Sequence, residues 1–469
     1  MRRPTRRGVV LCGSAATALA ARGPARSQGP DSGSDAEVAG LLARAIDDQR
    51  RGTGAAAAIV RPGSVVVLAH GVTRLGGDRR PDGSTVFQIA SLTKVFTALL
   101  LVDAARRGEV WLDDPLGKHL PVPAPTFQGR PITLRDLATH SAGLPLRPAS
   151  RLDRGQEDPY AGYTHADLLS DLAKVRLERA PGTAFQYSNF GYGLLGAALS
   201  HRTGRTFEEL LQGRILGPLG MDETRLVPGP AMAGRLIQGY EPDFRPVRPS
   251  SDGALAPAGG LFSTLDDMAR FLRVFTLPDA GPLRQAASLM RVVERPGDDP
   301  ETRMVLGWRE TGRGRKALLW SNGNGGGVRS FMGVRPSTGT GVIAFVNRRS
   351  GGGVDDIGLH VLDPSRPVDV SVAPARTVVQ PPVEALERLV GVYEYAPGDR
   401  MAIERDGEGL VLVQGGQRIR LFAETPTQWF VKEVEATFDF EAAESGPAAA
   451  FVLSQGGRTY RYVRTRPSP

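Results

Sequence analysis

The order of strand-like and helix-like segments constrains the fold of this chain more than any other feature. Residues 54–72 read as two short strands, because small and β-branched apolar residues run on both sides of a turn at Arg61-Pro62-Gly63. Strand-like runs return at 316–347, as KALLWSN, SFMGVRP and GVIAFVN. The text between them is mostly helical segments divided by Pro/Gly loops. Strands at both ends with helices between predict an α/β fold, in which an antiparallel sheet flanked by helices carries a helical insertion.

A Pro-rich stretch divides the chain. Residues 363–382, DPSRPVDVSVAPARTVVQPP, have few side chains to bury and read as a linker. Residues 383–469 then show short alternating strands such as GVYEY, TFDFEA and RTYRYVRT, which are typical of a small curled sheet or barrel. We therefore predict an α/β domain at 35–362, the linker, and a small C-terminal β-barrel-like domain.

Residues 1–28 read as a signal peptide. Arginines precede the apolar run 8–21, and Ala18-Leu19-Ala20 is a suitable cleavage site. The segment TRRGVVL resembles a twin-arginine export motif. The apolar run is too short to span a bilayer permanently. These features predict an exported protein, periplasmic or extracellular, with no transmembrane anchor.

Charge, cysteine and histidine usage exclude several function classes. The formal net charge of +8 includes four leader arginines, so cleavage leaves about +4, spread without a basic run. Nucleic-acid binding needs a concentrated basic stripe, and we expect no such partner. The only cysteine, Cys12, also lies in the leader. The six histidines form no close pair, so we predict no metal and no other cofactor.

A lysine in an apolar helix is the first candidate for chemistry. In FQIASLTKVFTALL, residues 87–100, Lys94 follows Ser91 by three positions, which places both on one helix face. A buried lysine can lose its proton and accept the serine proton, which Arg cannot do. The chain uses lysine sparingly, at five of its 58 basic positions. The alternative is that Ser91 caps the helix and Lys94 reaches out to water.

Two further segments can take part in the same chemistry. Tyr187-Ser188-Asn189 places a phenol, which can relay protons, beside an amide that can hold a substrate carbonyl. The segment SNGNGGGVRSF from Ser321 to Phe331 is glycine-rich, so a substrate can lie against its bare backbone. Taken alone, the first is also an ordinary capped helix start with a packed tyrosine, and the second a hairpin loop.

These three motifs, in this order, resemble the serine β-lactamase and penicillin-binding-protein superfamily, for which S-x-x-K is a nucleophile motif. The Y-x-N motif resembles the second motif of the class C-like branch of this superfamily, which includes D-Ala-D-Ala carboxypeptidases, D-aminopeptidases and esterases. The resemblance covers about residues 40–362, and the tail resembles a lipocalin-like β domain. Other matching stretches are GEVWLDDPLGKHLP, ITLRDLATHSAGLP, ILGPLGMDET and APAGGLFSTLDDMARFL.

The resemblance implies a role for each matching residue. Ser91 is the acylated nucleophile, Lys94 its partner, and Tyr187 the general base and later the acid. Asn189 positions the substrate, and the backbone N–H groups of Ser91 and Asn324 form the oxyanion hole. The remaining substrate-binding positions that it implies are Ser321, Asn322, Gly323 and Asn347.

One departure from the family pattern bears on the substrate. The third motif usually opens with Lys or His, which attracts a substrate carboxylate, but here that position is Ser321. Arg329 could replace the missing cation if its side chain turned inward. We therefore expect an exported serine hydrolase that cleaves neutral small-molecule or peptide esters or amides. The alternatives are a β-lactamase, a D-Ala-D-Ala carboxypeptidase or D-aminopeptidase, and a non-catalytic penicillin-binding-like protein.

Overall fold

The computed structural model describes most of the chain after the leader. The described residues are 34–151, 160–242, 244–277, 281–349, 353–370, 377–396, 399–414, 417–431, 436–441, 446–455 and 458–465. The predicted signal peptide, with its twin-arginine-like segment and Cys12, lies outside the described residues.

Helices dominate the middle of the first domain, as the sequence predicts. Short 3-10 turns and one π-helical turn at Gln212–Leu216 connect several of them. Within the described ranges the α-helices are α1 (Asp35–Asp47), α2 (Thr93–Arg106), α3 (Leu134–Ala138), α4 (His165–Lys174), α5 (Asn189–Thr203), α6 (Phe207–Leu211), α7 (Gly217–Leu219), α8 (Pro230–Ala233), α9 (Ala256–Gly259), α10 (Leu265–Thr276), α11 (Pro282–Leu289), α12 (Asp355–Leu362) and α13 (Val383–Leu389).

Strands lie at both ends of the first domain and throughout the second. In the described part of the chain they are β1 (Gly54–Arg61), β2 (Ser64–Gly71), β3 (Val86–Gln88), β4 (Thr126–Phe127), β5 (Arg130–Pro131), β6 (Gly239–Tyr240), β7 (Pro246–Val247), β8 (Phe262–Thr264), β9 (Arg295–Pro296), β10 (Thr302–Val305), β11 (Trp308–Thr311), β12 (Leu318–Gly325), β13 (Val328–Arg335), β14 (Thr340–Val346), β15 (Gly391–Ala396), β16 (Asp399–Asp406), β17 (Gly409–Gln414), β18 (Gln417–Ala423), β19 (Gln428–Phe430), β20 (Ala436–Glu441), β21 (Ala450–Gln455) and β22 (Arg458–Arg464).

One antiparallel sheet joins the two ends of the first domain, which confirms the predicted fold. Its strand order is β2-β1-β14-β13-β12-β11-β10-β9. The N-terminal β1 lies beside β14, with Ala57 opposite Ala344. The chain between β2 and β9 therefore forms the inserted, mostly helical region.

Helices cover both faces of this sheet. On one face α1 and α12 bury apolar residues of β1 and β14, such as Ala57 and Ala344. On the other face α2 and α10 pack together, with the rings of Phe96 and Phe271 3.8 Å apart. Helix α2 is buried from Thr93 to Ala104, because it is apolar on nearly all sides and is enclosed by sheet and helices.

The C-terminal strands β15–β22 form a closed barrel, which confirms the predicted barrel-like domain. Its described apolar side chains, including Tyr393, Phe438 and Phe451, form a cluster of their own. Val379 pairs with Ala423 of the barrel. A barrel closes all its strand edges, so this unit satisfies its own backbone hydrogen bonds.

The segment just after α12 is attached to the α/β domain. The carbonyl oxygen of Asp369 accepts hydrogen bonds from Gln49 Nε2 at 2.7 Å and from Arg51 Nη2 at 2.8 Å. The predicted linker therefore contacts the first domain near residue 369 and the barrel near residue 379. The domain limits 35–362 and 383–469 stay predictions.

Among the described residues, none of the helices combines the length and the apolar composition that crossing a membrane requires.

We predict that a chain ending at Val370 folds on its own, because it keeps every strand of the eight-stranded sheet and the bonds of Asp369. Its thermal unfolding should stay cooperative, with a midpoint within about 5 °C of the first transition of the full chain. A chain ending at Arg335 is the control, since it loses β14 from the middle of the sheet and should not fold. Aggregation of the chain ending at Val370 would contradict the independence of the two cores.

Candidate active site

Ser91 lies in a tight 3-10 turn, Ala90–Leu92, that leads directly into α2. Ala90 has a φ of 49°, a backbone conformation that costs a non-glycine residue about 1–2 kcal/mol. Ser91 is partly exposed, whereas Ala90 and Leu92 are buried. Its hydroxyl does not cap α2, which has no side-chain cap hydrogen bond. The turn therefore presents the Ser91 hydroxyl to a partly exposed region beside Lys94 and Tyr187, which is called the cleft below.

Lys94 is the second residue of α2, with only 3% of its surface exposed. Its Nζ is 3.0 Å from Ser91 Oγ and donates a hydrogen bond of 2.7 Å to the carbonyl oxygen of Ala258. Burial lowers the pKa of Lys94, which Tyr187 and Asp252 only partly oppose. The lysine therefore does not reach out to water, and its amine can give up its proton beside Ser91.

Tyr187 approaches Ser91 from the insertion. Its hydroxyl lies 2.8 Å from Ser91 Oγ, and Lys94 Nζ lies 4.8 Å from the centre of its ring. Burial tends to raise the pKa of Tyr187, but Lys94, Ser91 and Arg309 together lower it below its ordinary value. A proton can therefore move between the Tyr187 and Ser91 oxygens, and the Lys94–Tyr187 pair titrates as one unit.

A serine at the start of α5 fixes the backbone next to Tyr187. Ser188 is the N-cap: its Oγ accepts a hydrogen bond of 2.8 Å from Gly191 N and donates one of 2.6 Å to the Pro145 carbonyl. The segment therefore contains both a helix start capped by Ser188 and the phenol of Tyr187 that contacts Ser91.

His140 supports the ring of Tyr187 from behind. The two rings stack with centroids 4.2 Å apart, and His140 Nδ1 accepts a hydrogen bond of 3.1 Å from Ser188 N. Burial, followed by the charges of Lys94 and Arg309, holds the pKa of His140 well below its usual value. A neutral imidazole therefore packs on the phenol.

The glycines of β12 let this strand approach the Ser91 turn. A Cβ at Gly323 would lie 2.5 Å from the Ile89 carbonyl, and one at Gly325 would lie 2.9 Å from Ala90 Cβ. In the described residues the pairing of β11 with β12 ends at Trp320, so β11 does not cover residues 321–325. The backbone of Gly323 and Asn324 thus borders the cleft, although the oxyanion role of Asn324 stays a prediction.

Ser321 and Asn322 lie on β12 with different surroundings. Ser321 is 6% exposed and lies opposite Met332 of β13. Asn322 Nδ2 donates a hydrogen bond of 2.5 Å to Asp355 Oδ2 at the start of α12. Burial raises the pKa of Asp355, and Arg329, whose Nη2 lies 3.8 Å from Asp355 Oδ2, opposes the rise. Arg329 is therefore paired with Asp355.

Asn189 begins α5, where its backbone N–H donates to the Leu146 carbonyl at 2.9 Å. Its side-chain Oδ1 has no hydrogen-bond partner among the described residues. This amide oxygen is buried and lacks a partner in the described part of the chain, so it can accept a hydrogen bond, and the positioning role of Asn189 stays a prediction.

The structure gives Asn347 a structural role instead of the expected substrate-binding one. This residue is fully buried, and its Oδ1 accepts hydrogen bonds of 2.9 Å from both Thr53 N and Gly54 N. Its Nδ2 donates to Thr53 Oγ1 at 2.8 Å and to the Gln238 carbonyl at 2.9 Å. Because these bonds use both ends of the amide to join β14 to neighbouring loops, none is left for a substrate.

Several parts of the site give no sequence signal of their own. The Ala258 carbonyl that binds Lys94 belongs to α9, far along the chain from the S-x-x-K motif. His140 occurs in the matching stretch ITLRDLATHSAGLP, which suggested membership but no role. Arg309 is one arginine among many in the text, and only the sheet brings it near Tyr187.

Comparison with known protein families agrees with this geometry. The family model described as "Beta-lactamase" matches residues 39–362. A family described as a domain of unknown function, DUF3471, matches residues 375–462.

The chain is similar to enzymes with several different activities. The chain is 30% identical over 365 residues to the D-alanyl-D-alanine-carboxypeptidase/endopeptidase AmpH of Escherichia coli (strain K12), covering 74% of this chain and 92% of that protein. It is 32% identical over 228 residues to a beta-lactamase of the same strain, covering 48% and 57%. It is 28% identical over 300 residues to a D-aminopeptidase of Brucella anthropi, covering 61% and 54%.

Solved structures share the fold of the first domain. A beta-lactamase/D-alanine carboxypeptidase from Yersinia pestis, complexed with citrate, superposes with a TM-score of 0.58 at 28% identity, covering 67% of this chain and 94% of that chain. A class C beta lactamase from Rhodobacter sphaeroides gives 0.57 at 22% identity, covering 66% and 94%. With the matching family model, these similarities show that the chain belongs to the beta-lactamase family and is a serine hydrolase.

Proposed function

We propose that this protein is an exported serine hydrolase that cleaves neutral ester or amide substrates through an acyl-enzyme on Ser91. One observation carries the proposal: Ser91 Oγ lies 3.0 Å from Lys94 Nζ and 2.8 Å from the Tyr187 hydroxyl. A serine needs such a neighbouring base to act as a nucleophile. The leader at 1–28 supports export.

The reaction begins with the proton of Ser91. Tyr187 passes its own proton to the neutral amine of Lys94, and the resulting phenolate takes the Ser91 proton while Oγ attacks the substrate carbonyl carbon. The resulting oxyanion is held by the N–H groups of Ser91 and Asn324. When the carbon–leaving group bond breaks, Tyr187 gives a proton to the leaving alcohol or amine. Water then attacks the acyl-enzyme and gives a proton to Tyr187, which passes it to Ser91 Oγ as the ester bond breaks and the carboxylic acid leaves.

Charges around the third motif support a neutral substrate. Ser321 carries no charge, and Arg329, the proposed replacement for the missing cation, lies 3.8 Å from the partly buried Asp355. Asn322 turns its Nδ2 towards the same carboxylate, so this donor is already in use. Because Asp355 engages both groups, a substrate carboxylate gains little at this end of the cleft.

The alternatives fall within the family and outside it. The names of the relatives support a D-Ala-D-Ala carboxypeptidase, a D-aminopeptidase or a β-lactamase, each of which would use the same nucleophile. A non-catalytic penicillin-binding-like protein would keep the cleft without turnover. The intact hydrogen bonds among Ser91, Lys94 and Tyr187 favour the enzymes. A panel of nitrophenyl esters, nitrocefin and D-amino-acid peptides separates all of these.

Ser91→Ala should abolish covalent labelling by a fluorophosphonate while leaving the fold intact. Its hydroxyl caps no helix, so its loss should cost about 1 kcal/mol of unfolding free energy. Labelling is measured as the stoichiometry of bound probe by intact mass, and folding by thermal unfolding. Wild-type stoichiometry in the variant would show that another residue is the nucleophile.

Lys94→Arg should lose activity nearly as fully as Lys94→Met, a neutral variant of similar length. Arginine keeps the charge but cannot give up its proton, so we expect each variant to lose at least about a hundredfold in kcat/KM for a neutral ester. If Lys94→Arg stayed within about tenfold of wild type, Lys94 would act only as a fixed charge.

Ser321→Lys should raise acylation by a labelled penicillin relative to turnover of a neutral nitrophenyl ester. A charged partner for the penicillin carboxylate is worth about 1.5–3 kcal/mol, or roughly ten- to a hundredfold in the ratio of the two rates. Ser321→Met is the matched control, because it fills similar space without charge. An equal gain in both variants, or rapid nitrocefin hydrolysis by the wild type, would contradict the preference for neutral substrates.

A further inference from the structure

Arg309 places a second cation beside the reactive phenol. It lies on β11 opposite Trp320 of β12, and its guanidinium carbon is 5.1 Å from the Trp320 ring and 6.0 Å from the Tyr187 ring. Its neighbour Trp308 is fully buried against Phe275 on the other face of the strand. Strand alternation therefore turns Arg309 towards Tyr187.

A more exposed carboxylate pairs with the guanidinium. Asp298 Oδ2 accepts hydrogen bonds of 3.0 Å from Arg309, whose side chain is 13% exposed, whereas that of Asp298 is 39% exposed. Water screens the more exposed carboxylate better than the less exposed guanidinium. The positive charge of Arg309 is therefore the less screened of the two.

We propose that Arg309 is a positioning residue of the active site, which holds a fixed positive charge beside Tyr187 and so favours the form of the Lys94–Tyr187 pair that accepts the Ser91 proton. This inference rests on the proposed function, because it concerns the same proton. Arginine suits the role, since it stays protonated throughout the pH range of proteins. Arg309 on β11 thus provides a positive charge to the site, which the neutral Ser321 on β12 cannot provide.

The sign of the effect is the same for both members of the pair. A nearby cation favours the phenolate over the phenol, and it favours the neutral amine over the ammonium. Arg309 accordingly lowers the pKa of Tyr187 and also that of Lys94. Its removal should move proton acceptance to higher pH whichever of the two takes the Ser91 proton.

The other groups around the pair are assigned as follows. Ser91 is neutral, and Tyr192 on α5 stays protonated because burial raises its pKa. Burial lowers the pKa of His140, so this residue stays neutral and takes up a proton only well below the pH range usual for histidine. Asp252 is the acidic group that acts on Lys94, and Asp298 lies across Arg309. Replacing Arg309 removes one of the charges that lower the pKa of His140 and of Asp355, and it leaves Asp298 without this partner. Burial, the largest influence on the pKa of His140, still keeps that imidazole neutral.

The test is the pH dependence of Ser91 labelling by a neutral fluorophosphonate, which needs no knowledge of the substrate. The variants are Arg309→Met, which keeps the aliphatic stem over Trp320, and Arg309→Lys, which keeps the charge. Arg303→Met is the matched control: Arg303 lies on β10, is equally exposed at 13%, and pairs with Glu294 and Glu310. Thermal unfolding verifies that each variant is folded.

We expect the midpoint of the acidic limb to rise by about 0.5–2 pH units in Arg309→Met, from one unit charge at about 6 Å in an effective dielectric between about 20 and 80. Arg309→Lys should stay near the wild-type midpoint, and Arg303→Met should match it. An unmoved midpoint in folded Arg309→Met, even with slower labelling at every pH, overturns the inference and leaves only a structural role. An equal shift in Arg303→Met overturns it too.

Failure of the proposed function looks different in the same experiment. If the wild type takes up no probe, or Ser91→Ala takes up as much, then the nucleophile assignment fails before Arg309 is considered. If Arg309→Met does not fold, Arg309→Gln provides the neutral variant, and a wild-type midpoint there overturns the inference in the same way.

Discussion

The structure of the active site depends on keeping one amine out of water. Moving the ammonium of Lys94 into the interior is costly, and the cost falls if the group becomes neutral or finds close partners. The fold provides both: Lys94 lies on a helix that is buried on all sides, and it contacts Ser91 Oγ and the Ala258 carbonyl. Sheet, α2 and α9 must all be in place before the amine can activate Ser91.

This constraint explains which features the sequence could predict. The strands of the sheet were predictable from short runs of small and β-branched apolar residues between turns, and those of the barrel from alternating patterns, because both signals are local. Ser91 and Lys94 were predictable because a spacing of three places them on one helix face whatever surrounds the helix. Their contact at 3.0 Å agrees with that expectation.

The remainder depends on contacts between distant parts of the chain. The stacking of His140 on Tyr187 and the approach of Arg309 arise from the packing of the insertion against the sheet. No local spacing encodes them. Asn347 shows the converse: the resemblance implied substrate binding, yet the neighbouring backbone of Thr53 and Gly54 uses its amide oxygen. Only the three-dimensional surroundings separate a structural amide from a binding amide.

Arg309 and Arg329 act differently on the site because their carboxylate partners differ in exposure to water. Arg329 is paired with Asp355, whose side chain is only 21% exposed, so the two charges largely cancel where water cannot screen them. Arg309 is paired with Asp298, which is 39% exposed and so better screened by water. The residual field in the cleft therefore comes more from Arg309. The site can therefore carry a positive potential at Tyr187, the group that accepts a proton, while it offers little to a carboxylate beside Asn322. This division of charge is consistent with acylation by neutral substrates.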